Sequence, residues 1–229
     1  LITLLAFFLI STGFSDPGLP QVEKLVYLGY DEGNQTSREI SHDVFDKGNY
    51  YYSVHHHHDT TRIIVKCKVR KSDFSTLEVI KNRSGRFQLG IEQTETGICI
   101  NDGEKDRQTK VKHSGHFYDR HTLMEVFRAY PFENPQTVKF PFFEVNLGMV
   151  ITGTCTYRGQ ETISTPLGKI QCHKLTLGFK SLLVETAYKM ILAGRSFDFY
   201  YDVNPPHRMV YWTDNKGSYI KLIRIEGED

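Results

Sequence analysis

The segment Glu161–Leu175, ETISTPLGKIQCHKL, can hardly be anything but a β-hairpin. Thr165-Pro166-Leu167-Gly168 marks the bend. Proline pre-sets φ at the second position of a turn, and glycine is favoured at the fourth. The flanks, Glu161–Ser164 and Lys169–Leu177, are rich in β-branched and apolar residues in rough alternation. The same punctuation recurs in Asp31-Glu32-Gly33-Asn34, Asp46-Lys47-Gly48-Asn49, Asn82-Arg83-Ser84-Gly85, Asn101-Asp102-Gly103 and Asp214-Asn215-Lys216-Gly217. Between these turns run extended segments near 23–30, 37–45, 49–57, 61–70, 75–81, 86–93, 97–101 and 105–113. After a break come 147–158, 161–165, 169–178, 196–203, 208–213 and 218–226. Many strands joined by short turns make an antiparallel meander.

Two strands predict their own facing. In 61–70, Ile63, Val65, Cys67 and Val69 share one side against Arg62, Lys66, Lys68 and Arg70. In 147–158, Met149, Ile151, Cys155 and Tyr157 alternate with Val150, Thr152, Thr154, Thr156 and Arg158. One dry and one wet face is the antiparallel signature, and the dry face must be covered by closure, folding over or a helix. The expected class is therefore mainly β: a large curved antiparallel sheet, half-barrel or barrel-like, with one or two short helices. Thr122 and Glu125 have the spacing of a capping box, with Leu123, Phe127 and Tyr130 at helical intervals before Pro131. Ser181–Ala193, SLLVETAYKMILA, is a second helix candidate, or a pair of buried strands. Pro131, Pro135 and Pro141 punctuate a connection between two halves of one sheet.

The first ten residues, LITLLAFFLI, are uncharged and almost wholly apolar, too short to span a bilayer. Gly13 and Ser15 hold the small positions before a signal-peptidase cut ahead of Asp16. Residues 1–15 are expected to be a signal peptide lacking its start, and 16–229 a single β-rich domain, soluble and exported. A buried N-terminal strand or helix is the alternative. In an oxidising compartment Cys67, Cys99, Cys155 and Cys172 can form one or two disulfides or stay buried as free thiols. Their spacings fit no metal knuckle. With 28 basic against 27 acidic residues, a net charge of +1 gives no basic footprint for nucleic acid.

Two histidine clusters carry the donor atoms a metal site needs. In His55-His56-His57-His58-Asp59, strand geometry sends only His55 with His57, or His56 with His58, to one face. A solvated hairpin end is expected there. His113, His116 and His121, with Asp119, lie around a loop and helix start and lack the spacing of H-E-x-x-H. A metal site becomes credible only where the two clusters meet in space, and none is assigned. No G-x-S-x-G elbow or glycine-rich phosphate loop is present. Cys172 and His173, adjacent in a strand, face opposite ways. Asp198 with Asp202, and Glu161, are ordinary strand carboxylates. No catalytic, cofactor-binding or metal residue is assigned, no cofactor is expected, and the chain reads as no enzyme. The aromatic runs Tyr50-Tyr51-Tyr52, Phe140-Pro141-Phe142-Phe143 and Phe197–Tyr201 either pack a core or line an apolar cavity in a curved sheet.

From Tyr118 onward the order of features resembles one family. Tyr118-Asp119 leads to Thr122-Leu123 and Val126-Phe127-Arg128-Ala129-Tyr130-Pro131-Phe132. A strand near Gly148, Gly159–Ile163, the Thr165–Gly168 turn and Cys172-His173-Lys174-Leu175 come next. Phe199-Tyr200-Tyr201-Asp202 and Pro206-His207-Arg208-Met209-Val210 close the series. This series resembles the DUF3108 family of exported bacterial proteins of unknown function, although Tyr200-Tyr201 stands where a Trp is more usual. The resemblance implies a periplasmic or envelope protein, similar in shape to lipoprotein-carrier folds in which a curved half-barrel cradles acyl chains. The expected role is non-enzymatic binding of a lipid or other apolar ligand. The alternatives are a structural or assembly protein with an envelope protein partner, and a metal-dependent enzyme using the histidine clusters.

Overall fold

The structure, a computed structural model, describes residues 13–179 and 196–227. Eight strands come first: β1 (Val22–Asp31), β2 (Thr36–Asp46), β3 (Tyr50–His58), β4 (Ile63–Arg70), β5 (Thr76–Arg83), β6 (Arg86–Thr94), β7 (Gly97–Asp102) and β8 (Arg107–Lys112). A two-residue β9 (Tyr118–Asp119) precedes α1 (Leu123–Val126), which is flanked by 3-10 turns Arg120–Thr122 and Phe127–Ala129. The return half contains β10 (Val138–Glu144), β11 (Met149–Thr165), β12 (Gly168–Phe179), β13 (Phe197–Asp202), β14 (Met209–Asp214) and β15 (Tyr219–Glu226). The helix candidate at 181–193 lies outside the described residues.

All fifteen strands form one sheet, in the order β8-β7-β6-β5-β4-β3-β2-β1-β15-β14-β13-β12-β11-β10-β9. The chain starts mid-sheet, meanders out to β8, crosses to the opposite edge at β9, and meanders back until β15 pairs with β1. Every neighbouring pair is antiparallel except β9 with β10. Among the described residues the sheet does not close by a strand ladder. Instead, the β9–β10 end packs across the hollow onto β4–β7 through side chains and a few polar contacts. The Thr76 amide donates to the Phe117 carbonyl (2.8 Å), and the Asp119 amide to Thr76 Oγ1 (2.9 Å). Phe117 and Phe143 pack edge to face, their centroids 5.8 Å apart, against Val65, Cys67, Val79, Ile91, Ile98 and Ile100.

The α1 segment fills the hollow of the curve. Leu123, Val126, Phe127 and Tyr130 share one core with Tyr27, Ile40, Val44 and Tyr51 from one half of the sheet. From the other half come Phe140, Phe142, Cys155, Leu175, Phe199 and Tyr201. A fully buried side chain such as Phe127 contributes about 1.5–3 kcal/mol over exposure. Polar pins fix the segment's height. Tyr201 donates from its hydroxyl to the carbonyls of Leu123 (3.2 Å) and Met124 (3.1 Å). Arg128, buried, binds Glu23 on β1 (2.5 Å) and the Pro206 carbonyl (3.0 Å). Phe14 packs among Tyr118, Phe127 and Phe140, and the Ser15 amide donates to the Ala129 carbonyl. A cut ahead of Asp16 would therefore take Phe14 out of this core.

Three local expectations need correction. The Thr122–Glu125 capping box does not form: Asp119 caps the segment by accepting from the His121 amide (2.8 Å). Thr122 is spent on Thr76 Oγ1, and Glu125 turns inward to His42. Of the two readings left open for the cysteines, the structure has the buried free thiols. Segments 147–158 and 161–165 are one strand, β11, carried through a bulge at Gly159, whose φ is +103°. The connection after Pro131 contains a strand of its own, β10.

Candidate functional site

Alternation along β13 and β14 creates a cavity. Phe197 and Phe199 project to the concave side with Met209 and Trp212, and β12 and β15 add Leu177 and Ile220. Across the hollow α1 contributes Leu123 and Met124, and β4 contributes Val65. These residues enclose about 320 Å³ beneath the helical segment. The aromatic runs therefore serve both roles: Phe140 and Phe142 pack the core, Phe197 lines the cavity, and Phe199 does both.

One end of the cavity is polar and carries His55, His57, Arg120 and His121. Here the two histidine clusters do meet, through His55, His57 and His121. His55 and His57 share the inner face of β3, and His121 is held by Asp119 (Nδ1 to Oδ1, 2.6 Å). His56 and His58 lie on the outer face, their rings 4.2 Å apart, with His58 paired to Ser41. The solvated hairpin end is thus correct for His56 and His58 only, because α1 covers the other face. His113 stays in the loop, its Nε2 contacting the His116 carbonyl (3.0 Å). Burial pushes the His57 imidazole down to about 4, with Arg38 adding to the effect. Arg120 supplies a permanent positive charge at the rim.

Behind His55 lies a triad that single-strand reasoning missed. The register of β2 and β3 sets His42 directly opposite His55, and their rings stack at 4.2 Å. Glu125 Oε1 sits 3.0 Å from His42 Nε2 and 3.4 Å from His55 Nε2, the latter outside hydrogen-bond geometry. All three residues are buried. Burial works against the Glu125 charge, but the two imidazoles outweigh it and hold the carboxyl well below its usual range. Burial and neighbouring His42 keep the His55 imidazole below its ordinary value. The signal for His42 was present in the sequence. The Asp46–Asn49 turn pairs Asp46 with Tyr51, so residues four positions back and four forward must face each other.

The remaining polar candidates are dispersed. Cys172 packs with Tyr200 and Val210, while His173 stacks on Phe132 at 4.2 Å from the other side of β12. Asp198 accepts from Thr176 Oγ1 (2.7 Å) and lies 3.4 Å from Lys174, which also meets Glu161. Asp202 accepts from the Asn204 amide in a turn. These carboxylates stabilise neighbouring strands rather than converge across a cleft.

Comparison with known proteins decides the family. Residues 52–223 match the family described as a protein of unknown function, DUF3108. The chain belongs to the DUF3108 family. The match starts within β3 and takes in α1, the Thr165–Gly168 turn and the cavity-lining strands. Among solved structures, this DUF3108 chain is similar to a β-barrel-like protein of the domain of unknown function DUF1849 from Brucella abortus. The TM-score is 0.54 at 10% identity, over 90% of this chain and 98% of that one. At that identity the likeness concerns the fold alone. A search of curated proteins found no match.

Proposed function

We propose that this DUF3108 protein is an exported, non-enzymatic envelope protein that holds the apolar part of a lipid or similar ligand inside its curved sheet. The observation carrying this reading is the cavity beneath α1. Its volume falls within the range of small-molecule sites, and its wall is aromatic and aliphatic with polar groups gathered at one end. An acyl chain entering there removes its methylenes from water at about 0.8 kcal/mol each. Arg120 and the histidines at the rim suit the headgroup of an anionic amphiphile. The dispersal of Cys172, His173, Asp198 and Asp202 supports binding rather than turnover.

Purification of the untagged protein from its native envelope, followed by mass spectrometry of bound lipid, tests the reading. A fluorescent fatty acid tests the cavity directly. Leu177→Trp, which fills the space, is expected to weaken probe binding about tenfold or more while circular dichroism stays unchanged. Finding neither copurifying lipid nor saturable probe binding would overturn the proposal.

A further inference from the structure

We propose that His42, His55 and Glu125 form a binding site for one divalent first-row transition-metal ion, with zinc the best fit. Three features of the triad carry this assignment, independently of what the cavity holds.

The first is convergence. One ligand atom from each residue lies within 4.8 Å of the others, and the two nitrogens stand 3.0 and 3.4 Å from the same carboxylate oxygen. Ligands around a tetrahedral zinc at 2.0–2.1 Å are separated by about 3.3 Å. The triad needs only a small adjustment to accept an ion. The second is the donor set. Two imidazoles and a carboxylate match sites that leave the fourth position to water or a ligand group. His55 also lines the cavity, so that position has an entry path through the rim. The third is unspent polarity. Glu125 Oε2, His42 Nδ1 and His55 Nε2 are buried without hydrogen-bond partners among the described residues. Each such group costs about 1–3 kcal/mol, and coordination would use His55 Nε2 and the carboxylate. His42 Nδ1 has no acceptor behind it. The affinity should therefore be roughly 10–100-fold below that of a site with a complete outer shell.

The register supports the same conclusion. His42 and His55 come from the centres of two paired strands, and Glu125 from a helix pinned by Tyr201 and Arg128. The ligands are thus mounted on paired strands and on a segment held by side-chain contacts. The outward pair, His56 and His58, offers a competing surface chelate and provides the control.

The test uses full-length untagged protein, stripped with chelator and titrated with Zn²⁺ or Co²⁺ alone. One ion per chain is expected by elemental analysis, with the intense visible bands of four-coordinate Co²⁺. Glu125→Gln and His55→Gln should each weaken binding about tenfold or more, while the His56→Ala/His58→Ala double variant keeps it. Zn²⁺ should raise the melting temperature of the parent and the double variant but of neither triad variant. Sub-stoichiometric binding, or loss confined to the outward pair, would overturn the site. If the triad variants do not fold, the Co²⁺ spectrum of the parent decides: weak octahedral bands count against the assignment.

Discussion

Glu23 is the residue on which the helix-to-sheet contact depends most. Its carboxylate is buried and receives Arg128 at 2.5 Å and Arg208 at 2.8 Å. Burial alone would raise its pKa, but the two guanidiniums, Arg128 foremost, hold it below the usual carboxylate range. The group therefore stabilises the fold fully above the unfolded pKa of about 4.3. That stability is lost as pH falls from there through the folded value. Glu23→Gln leaves Arg128 buried without its counter-charge and should cost about 3–5 kcal/mol in urea unfolding at pH 7. The same substitution should flatten the stability curve between about pH 5 and pH 3. At this scale the sequence was a partial guide. Cys172 and His173 read correctly as separated because strand alternation is a local rule. Glu125 read as a capping residue because its spacing from Thr122 fits that local pattern equally well. Only the tertiary contact with β2 shows that His42 claims it.

Among the elements, the hairpins were the most legible and β10 the least. Turn chemistry marks a hairpin within a few residues, so the 165–168 bend and the β2–β3 turn stand where their residues place them. β10 carries Pro141, which cannot donate to a ladder and argues against a central strand. It is tolerated because the partner on that side, β9, spans only Tyr118 and Asp119, leaving β10 almost an edge. The β7–β8 hairpin has the opposite tolerance. Gly97 begins β7 at φ +155°, and a Cβ there would lie 2.1 Å from the Val111 carbonyl oxygen. That contact is with backbone and cannot be relieved by a rotamer. Gly97→Ala is expected to detach β8 locally, at a cost of about 1–3 kcal/mol. Faster hydrogen exchange confined to 107–112 would show it; unchanged protection there would contradict it.

For the molecule as a whole, an open sheet of fifteen strands has an edge to defend. β8 does so with Arg107, Lys110 and Lys112, all exposed, while Val111 packs inward against the second core. Charged edge strands resist pairing with other chains. Lys110→Val with Lys112→Val should therefore produce concentration-dependent dimers or aggregates by light scattering, with a monomer of unchanged secondary structure at low concentration. The curvature was legible from one-sided strands that demand cover. Closure by Phe117 and Phe143 was not, because it sets residues at the β9–β10 end against Val65, Val79, Ile91 and Ile98 of β4–β7, which share no local pattern with them.

The position of β1 has a consequence in time. Its second neighbour is β15, and Leu25 finds Ile225 two hundred residues later. Contacts of such separation form late and fold slowly. A chain emerging N-terminus first must carry β1 with one side unpaired until β15 is delivered. Any binding partner that recognises the free side of β1 has that interval in which to act.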